Sequence, residues 1–213
     1  MAEKIFISGI DTDAGKTYAT GYLALKYMEE GKSVATVKFI QTGCENTSED
    51  IEKHREIMGM ELPEDREGLT APIIFSYPAS AQLAARLDKR EINLTLIDRA
   101  IEKLDKKYDI ILIEGAGGLM VPITDNFFAI DYPLTRKIPL ILVTNGILGS
   151  INHTVLSLEA IKSRGIQLLA LAYNTYFDKD EIICEDTRGF LKRYMTRHFP
   201  EASWIEIPSM CAE

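Results

Sequence analysis

The alternation of short apolar runs with longer amphipathic stretches limits the fold of this sequence more than any other feature. The runs are rich in β-branched residues and lack polar alternation, which is typical of parallel strands buried on both faces. They predict strands at residues 4–8, 34–39, 109–113, 139–144, 168–173 and 204–207. The stretches between them predict helices at residues 16–30, 48–59, 95–107, 127–137, 151–165 and 178–198.

This order of elements predicts an α/β fold with a doubly wound, mainly parallel sheet and helices on both faces. Ligands of such sheets bind beyond the carboxyl ends of the strands, so we expect the functional residues just after strands. We treat residues 1–213 as one domain, because no Pro-rich, Ser-rich or single-sign linker divides the chain.

The charge and the cysteines narrow the class of partner and the compartment. A net charge of -8 disfavours a nucleic-acid binder, which needs a basic surface, and points to a small anionic ligand held by a few cations. Cys44, Cys184 and Cys211 lack the paired spacing of a zinc site or a disulfide framework. The N-terminal residues resemble neither a signal peptide nor a membrane span. We therefore expect a cytoplasmic protein that does not bind membranes.

A glycine-rich loop at residues 9–17, GIDTDAGKT, follows the first predicted strand and leads into a helix. Backbone N–H groups of such a loop converge on phosphate, Lys16 adds a positive charge, and the Thr17 hydroxyl can bind Mg²⁺. The loop is one residue longer than the usual G-x-x-x-x-G-K-[ST] pattern, because Ile10 stands where the first glycine is expected. A simple turn explains the glycines but not the Lys-Thr pair. The loop therefore predicts a P-loop NTPase-like fold that binds the phosphates of ATP.

Two further residues with charged side chains stand at the ends of predicted strands. Lys38 is placed to neutralise charge on a transferring phosphoryl group, although a surface lysine is the plain alternative. Glu114 precedes a glycine-rich segment and is placed to bind magnesium directly or through water, although an ion pair or a helix cap is also compatible with its position.

The local sequence leaves the roles of three other places open. Asp50 lies in an acidic run and is either a metal ligand or a solvated surface charge. The helix start at residues 149–154 offers N–H groups to a carboxylate, but a plain N-cap is the simpler interpretation. Among the histidines, His54 and His198 are expected to face solvent, and His153 to have a structural role.

Four segments together resemble the dethiobiotin synthetase family over residues 5–208. They are GIDTDAGKT, KFIQTG, IEGAGGLMVPITD and LGSINHT, in the family's order and spacing. The resemblance implies a homodimeric ligase that uses Mg-ATP to join 7,8-diaminopelargonate and CO2 into dethiobiotin. It also implies that the reaction passes through a carbamate and a carbamic-phosphoric anhydride, with ADP and phosphate as products.

The resemblance also assigns roles to residues. It places Lys16, Lys38 and Thr12 in catalysis and makes Thr17, Asp50 and Glu114 the metal ligands. The other positions that would contact the nucleotide are Asp13, Ala14, Gly15, Tyr18, Gly115, Ala116, Gly117, Asn174 and Pro208. The substrate-binding positions are Thr12, Lys38, Thr42 and Gly118, and those that would receive the substrate carboxylate of a neighbouring subunit are Leu148, Gly149, Ser150, Ile151 and Asn152.

The sequence departs from the family pattern at Phe39, usually proline, at Asp13, usually glutamate, and at Ala81-Gln82. One alternative is a partition or scaffold ATPase of the same fold, but such proteins carry a second lysine where this chain has Asp11. An amide-forming ligase with a glutaminase domain and a nucleotide-binding regulator are two further alternatives. The ligase would need a glutaminase domain, for which these 213 residues leave no room. The regulator would bind Mg-ATP without turnover that depends on CO2.

Overall fold

The computed structural model describes residues 1–209, so Cys211 lies outside the described residues. Its strands are β1 (Glu3–Gly9), β2 (Val34–Lys38), β3 (Gln41–Thr42), β4 (Ile74–Phe75), β5 (Ile110–Gly118), β6 (Pro122–Thr124), β7 (Phe127–Phe128), β8 (Leu140–Asn145), β9 (Leu168–Asn174) and β10 (Ser203–Ile207). Its helices are α1 (Lys16–Glu29), α2 (Glu49–Met58), α3 (Pro63–Arg66), α4 (Ala81–Leu87), α5 (Thr95–Leu104), α6 (Asp131–Arg136), α7 (Ser150–Ser163) and α8 (Glu181–His198). Within residues 1–209, none of the helices combines the length and apolar character needed to cross a bilayer.

The main sheet has six parallel strands in the order β10-β9-β8-β1-β5-β2. The chain order changes direction around β1, which is the doubly wound topology that the sequence predicts. In such a sheet the loops after β1, β5 and β2 meet at one edge. Two small sheets, the parallel pair β3-β4 and the antiparallel pair β6-β7, lie outside the main sheet.

Helices pack on both faces of the sheet, and strand β1 contributes side chains to the apolar cores on both faces. Ile5 and Ile7 belong to the apolar core on the side of α1, whereas Phe6 belongs to the core on the side of α5, α6 and α7. Successive strand residues point to opposite faces, so a strand without polar alternation is buried on both. The aromatic ring of Phe39 packs against Phe6 and Tyr132 in the second core, with centroid distances of 5.7 and 4.7 Å. This unusual residue after Lys38 is therefore a core residue.

All six predicted strands are confirmed, but one boundary changes the position of a functional residue. Strand β5 continues to Gly118 instead of ending at Ile113, so Glu114 lies inside a strand and not after it. The extension follows from pairing with β1, where the register shifts between Ile7 and Gly9 and aligns Gly9 with Gly118.

The helix predicted at residues 127–137 is wrong at its start. Phe127 and Phe128 form β7 and pair with β6, and α6 begins only at Asp131, whose carboxylate accepts a hydrogen bond from the Phe128 N–H (2.8 Å). Similarly, α8 begins at Glu181 and not at 178, because Asp180 caps it by accepting from Ile183 N (3.1 Å). The short helices α3 and α4 were not predicted, since a few residues give too little periodicity.

Helices α1 and α2 pack closely against each other at a glycine. A Cβ added to Gly21 of α1 would lie 2.8 Å from Cδ1 of Ile57 of α2, which is closer than side-chain atoms approach one another. Gly21 therefore allows α2 to lie directly against the helix that follows the glycine-rich loop. This packing brings the first turn of α2 to the first turn of α1.

Candidate active site

The glycine-rich loop joins β1 to α1 and turns at Gly15. This residue is the N-cap of α1, with a φ of 83° in the left-handed region that favours glycine. A Cβ here would lie 2.1 Å from Nδ2 of Asn174, so the loop also passes too close to Asn174 for a side chain. Asp13 and Ala14 lead into the turn. The loop thus ends at a helix N-terminus, where free N–H groups and the helix dipole favour an anion.

The side chain of Lys16 folds back over this loop. Its Nζ donates hydrogen bonds to the backbone oxygens of Asp11 and Thr12, both at 2.9 Å. Burial, together with the nearby charge of Lys38, lowers the pKa of Lys16 to about 8. A cation held in this way in a buried loop gains stability from any anion that enters the loop.

Three oxygen-bearing side chains from three elements converge beside Lys16. The Thr17 Oγ1 atom lies 2.7 Å from Asp50 Oδ1 and 2.9 Å from Glu114 Oε1. A hydroxyl carries one proton and can serve only one of these acceptors well at a time. The site therefore holds more negative oxygens than its hydroxyl proton can satisfy. The question that the sequence left open for Asp50 is answered in part, because its carboxylate turns inwards and only 25% of its side chain is exposed.

Lys38 supplies the positive charge between the two carboxylates. Its Nζ forms salt bridges with Asp50 Oδ2 and with Glu114 Oε1, the latter at 2.8 Å, and it also donates to Gly115 O at 3.3 Å. Burial alone would lower the pKa of Lys38, but the two carboxylates outweigh it and raise this pKa above its ordinary value. Lys38 is thus a buried cation aimed at the loop and not a surface lysine.

Glu114 is fully buried and is held from two sides. Its Oε1 faces Lys38 and Thr17, and its Oε2 accepts a hydrogen bond from Nε2 of His54 at 2.8 Å. Burial favours the protonated carboxyl, but the charge of Lys38 and the hydrogen bond from His54 outweigh it, and the pKa of Glu114 lies well below its ordinary value. The salt bridge with Lys38 therefore favours the ionised form of Glu114.

The prediction that His54 faces solvent is wrong, because the side chain is completely buried. It lies four residues after Asp50 on α2, and side chains at this spacing share one face of a helix. The face that brings Asp50 to the loop therefore also carries His54 inwards. The i, i+4 spacing was the signal in the sequence, but the surrounding acidic run concealed it. Of the other histidines, His153 is exposed and His198 is partly exposed.

Two adjoining cavities form the cleft beside this cluster. The first, of about 280 Å³, is lined by Lys16, Lys38, Asp50 and Glu114 among others. The second is about 480 Å³ in volume. Four residues line both cavities, namely Thr12, Thr42, Ala116 and Gly117. The cleft therefore runs continuously from the charged cluster into a larger space.

Two of the positions that depart from the family pattern lie at this cleft. Asp13 lines the first cavity and Ala81 lines the second. Gln82 lies beside Ala81 and donates a hydrogen bond to Asp125 at 2.5 Å. Asp13 and Ala81 are thus at positions where they can change contacts with ligands, whereas Phe39 is buried in the core.

The ends of β9 and β10 lie close to the same loop. The Asn174 side chain is almost fully buried above Gly15, and its Oδ1 accepts from Tyr176 N at 3.1 Å. Thr175 joins the two strand ends by donating to Ile207 O at 3.0 Å, which leaves Pro208 exposed directly after β10. Asn174 thus ends β9, and Pro208 follows the neighbouring strand β10.

The start of α7 lies outside this cleft. Among the described residues that line the two cavities, none belongs to segment 148–152. Leu148 is 82% exposed, Gly149 caps the helix with a φ of 98°, and Asn152 is exposed. Within residues 1–209, the Ser150 Oγ atom is buried without a hydrogen-bond partner. The segment therefore presents an apolar residue and an open helix N-terminus to its surroundings.

The oxygen set of the charged cluster fits a magnesium ion. Mg²⁺ prefers oxygen ligands and is usually bound by one or two carboxylates together with substrate phosphates. Thr17, Asp50 and Glu114 supply a hydroxyl and two carboxylates, beside the loop where phosphates would lie. Over residues 1–209, no group of three or more His, Cys, Asp or Glu side chains has the arrangement of a metal site. Two carboxylates and a hydroxyl leave coordination positions of an octahedral Mg²⁺ for phosphate oxygens and water.

The parallel sheet, the strand-loop-helix unit and the Lys16-Thr17 pair define a P-loop nucleotide-binding protein. A family model described as an AAA domain matches residues 3–200. The ATP-dependent dethiobiotin synthetases of Pasteurella multocida and Haemophilus influenzae are 48% and 52% identical to this chain, over 94% and 86% of it and 94% and 96% of their own lengths. The chain belongs to the ATP-dependent dethiobiotin synthetase family.

Solved structures with low sequence identity share the fold. The ParA protein of pNOB8, bound to nonspecific DNA, matches with a TM-score of 0.57 and 16% identity over 100% of this chain and 89% of its own. The signal recognition particle receptor FtsY of Elizabethkingia anophelis, in complex with GDP, gives a TM-score of 0.56 and 15% identity over 96% of this chain. This chain spans only 56% of that receptor chain. At these identities the likeness concerns the fold alone.

Proposed function

We propose that this chain converts 7,8-diaminopelargonate, CO2 and ATP into dethiobiotin, ADP and phosphate. The observation that carries the proposal is the convergence of Lys16 and Lys38 with Thr17, Asp50 and Glu114 at one end of a continuous cleft. Two lysines beside a phosphate loop suit a reaction that brings an anionic carbamate to an anionic phosphate. We place this activity in one cytoplasmic domain that forms a homodimer.

The first step forms the carbamate. One amine of the substrate attacks the carbon of CO2 and loses a proton, which leaves a carboxylate on nitrogen. Thr12 and Thr42 line both cavities, so they are placed to hold the diamine or its carbamate by hydrogen bonds. Holding the two reactants together in this way makes a bimolecular step effectively unimolecular and so lowers its entropic cost.

The second and third steps activate the carbamate and close the ring. A carbamate oxygen attacks the γ-phosphorus of ATP, and the bond to the β-phosphate oxygen breaks to release ADP. The second amine then attacks the carbonyl carbon, and phosphate leaves as the ring closes. Lys16 and Lys38 neutralise the charge that spreads over the transferring group, which is where electrostatic stabilisation contributes most.

Thr17, Asp50 and Glu114 would hold the magnesium ion, which supplies further charge neutralisation to the phosphates when it is bound. Asp13, Ala14, Gly15, Tyr18, Gly115, Ala116 and Gly117 would surround the phosphates, and Asn174 and Pro208 would contact the adenine. Gly118, at the end of β5, would contact the diamine.

The distant carboxylate of the substrate would be received by the start of α7 in a second subunit. The N-terminus of a helix favours a carboxylate, and the Ser150 hydroxyl lacks a partner within residues 1–209. Leu148, Gly149, Ile151 and Asn152 complete this receiving segment. Segment 148–152 does not line the cleft of its own chain, which is compatible with a role at the cleft of a second subunit.

The proposal is tested by measuring ADP release with Mg-ATP, bicarbonate and 7,8-diaminopelargonate, and then with each reactant omitted in turn. We expect release only with all of them, together with the appearance of dethiobiotin. ADP release that continues at the same rate without the diamine would contradict the proposal and favour a switch ATPase. Nucleotide binding without turnover would favour a regulator.

A further inference from the structure

A buried hydrogen-bond chain leads from α2 to the carboxylate of Glu114 without passing through the cleft. His54 lies in its middle, with Nε2 at 2.8 Å from Glu114 Oε2 and Nδ1 at 3.0 Å from Oγ1 of Thr36. Thr36 in turn accepts from Nη1 of Arg55 at 2.8 Å. His54, Thr36 and Glu114 are all completely buried, so water does not compete for these contacts.

The chemistry of the partners fixes the donor to Glu114 and allows one direction for the rest of this chain. An ionised carboxylate only accepts, so the Nε2 atom of His54 carries a proton and donates to Glu114. Arg55 only donates, so the Thr36 oxygen accepts from it and the Thr36 proton is free to point at His54 Nδ1. With the neutral Nε2–H tautomer of His54, every proton in the chain has an acceptor. All the donors then point towards Glu114.

At the end of the hydrogen-bond chain away from Glu114, a salt bridge holds Arg55 in place. Arg55 forms a two-pronged salt bridge with Asp65 of α3, with Nε to Oδ2 at 2.8 Å and Nη2 to Oδ1 at 2.9 Å. Two parallel bonds between a guanidinium and a carboxylate fix the orientation of both groups. The Arg55 side chain cannot turn away from Thr36 without breaking this pair.

We infer that His54 is a positioning residue, which holds Oε2 of Glu114 so that Oε1 alone faces Thr17 and the phosphate loop. Oε1 is the oxygen that lies with Thr17 and Lys38 at the cleft, and Oε2 is committed to His54. Hydrogen bonds to the second oxygen of a ligating carboxylate orient it and tune its affinity for the metal. Arg55 and Thr36 act through His54 by fixing its tautomer and ring orientation.

This inference rests on the proposed magnesium role of Glu114, and the test separates the two. The primary measurement is a calorimetric titration of Mg²⁺ into the protein saturated with a non-hydrolysable ATP analogue. A second titration measures the affinity for the same analogue in the presence of EDTA. Glu114→Gln tests the metal role itself, and we expect it to weaken Mg²⁺ binding strongly.

Two substitutions of His54 divide its functions. His54→Asn keeps a polar group near Thr36 but removes the donor to Glu114, whereas His54→Gln keeps an amide N–H near the position of Nε2. We expect the Asn variant to bind Mg²⁺ about 10-fold to 100-fold more weakly, with the metal-free affinity for nucleotide unchanged. The Gln variant should recover most of this loss. The control is His198→Asn, the same change at a partly exposed histidine.

Three outcomes would overturn the inference. Equal losses in the Asn and Gln variants would make His54 a packing residue only. Unchanged Mg²⁺ affinity in His54→Asn, while Glu114→Gln loses it, would overturn the positioning role and leave the proposed function standing. Unchanged Mg²⁺ affinity in Glu114→Gln would overturn the metal role and the inference with it.

If His54→Asn does not fold, a second pair of variants and a spectroscopic measurement test the positioning role of His54. Thr36→Val removes the hydroxyl with little change in shape and should weaken Mg²⁺ binding, whereas Thr36→Ser should retain it. The ¹⁵N chemical shifts of the His54 ring should report the neutral Nε2–H tautomer in the wild-type protein. The Nδ1–H tautomer, or equal Mg²⁺ affinity in the two Thr36 variants, would contradict the direction of the chain.

Discussion

Lys38 and Glu114 are register partners on neighbouring parallel strands, and their side chains meet in a buried salt bridge of 2.8 Å between Nζ and Oε1. The sheet itself therefore fixes the distance between these two charges, which are the cation proposed to serve the phosphoryl group and the carboxylate proposed to serve the metal. Each charge also makes the other tolerable in the interior, because an unpaired buried charge is costly. Entry of a phosphate and a cation would replace each partner by another of the same sign.

Substitution Lys38→Met should lower kcat by about 10³-fold while changing the affinity for ATP much less, because the charge acts mainly on the transferring group. Steady-state kinetics and equilibrium nucleotide binding measure the two effects separately. Lys53→Met, at an exposed lysine on α2, is the control and should behave like the wild type. Equal losses of kcat and of ATP affinity in Lys38→Met would show that Lys38 binds the ground state.

Substitution Gly15→Ala should abolish nucleotide binding, because the new Cβ would lie 2.1 Å from Asn174 Nδ2 as well as requiring a φ of 83°. Gly31 provides a matched control, since its φ is 81° and a Cβ there meets nothing within 4 Å. Gly31→Ala should therefore lose about 1–2 kcal/mol of stability from backbone strain alone and bind nucleotide normally. Isothermal titration with ADP and thermal unfolding distinguish the two cases. Normal binding in Gly15→Ala would contradict the close approach of Asn174.

Substitution Asp65→Asn should destabilise the protein by about 1.5–3 kcal/mol near neutral pH, because it removes a charged partner of Arg55. Partial burial favours protonated Asp65, but hydrogen bonds from Arg55 and Thr70 outweigh it and lower the pKa of Asp65 below its ordinary value of 3.8. Its contribution is thus fully present above pH 3.8 and lost as the pH falls through the lower, folded pKa.

The free energy of unfolding of the Asp65→Asn variant and of the wild type, measured by urea denaturation across this range, should therefore converge in acid. A difference that stays constant down to the lowest pH would rule out an ionic origin. Asp186→Asn serves as the control, because Asp186 is an exposed carboxylate on α8 and takes no part in the Arg55 pair.

An active site shared between subunits should allow two inactive variants to restore each other. Lys38→Met removes the cation of the cleft, and Asn152→Asp places a negative charge at the helix start that would receive the substrate carboxylate. After the two variants are mixed and their subunits exchanged, we expect about a quarter of the wild-type activity, because half of the dimers are mixed and each has one intact site. Asn152→Ala should remain active, and a mixture that stays inactive after exchange would place all site residues in one subunit.

The sequence predicts the sheet and the loop well because both follow from local patterns. Buried parallel strands produce unbroken apolar runs in the sequence. A Lys-Thr pair such as Lys16-Thr17, after a strand and a glycine-rich loop, is typical of phosphate binding. The resemblance to the family brings Asp50 to the same site, and the structure places its carboxylate beside Thr17. The roles of these residues in binding and catalysis stay predictions.

The sequence fails where a property depends on contacts between distant elements. His54 looks solvated in its acidic run, yet it is buried because α2 packs against α1 through Gly21 and Ile57. Phe127 looks helical by periodicity, but pairing with β6 takes precedence. Glu114 lies within β5 because this strand stays paired with β1 as far as Gly118, which is aligned with Gly9. In each case contacts with distant parts of the chain determine the local structure or the burial. Such contacts cannot be read from the sequence around one residue.

Thr36 is a buried hydroxyl in the middle of the edge strand β2, and it lines neither cavity of the cleft. An engineer who wished to alter metal preference would ordinarily randomise the walls of the cleft and would leave this position untouched. Yet a library confined to Thr36 and Arg55 would vary the hydrogen bonding behind Glu114 while preserving every residue that lines the two cavities of the cleft.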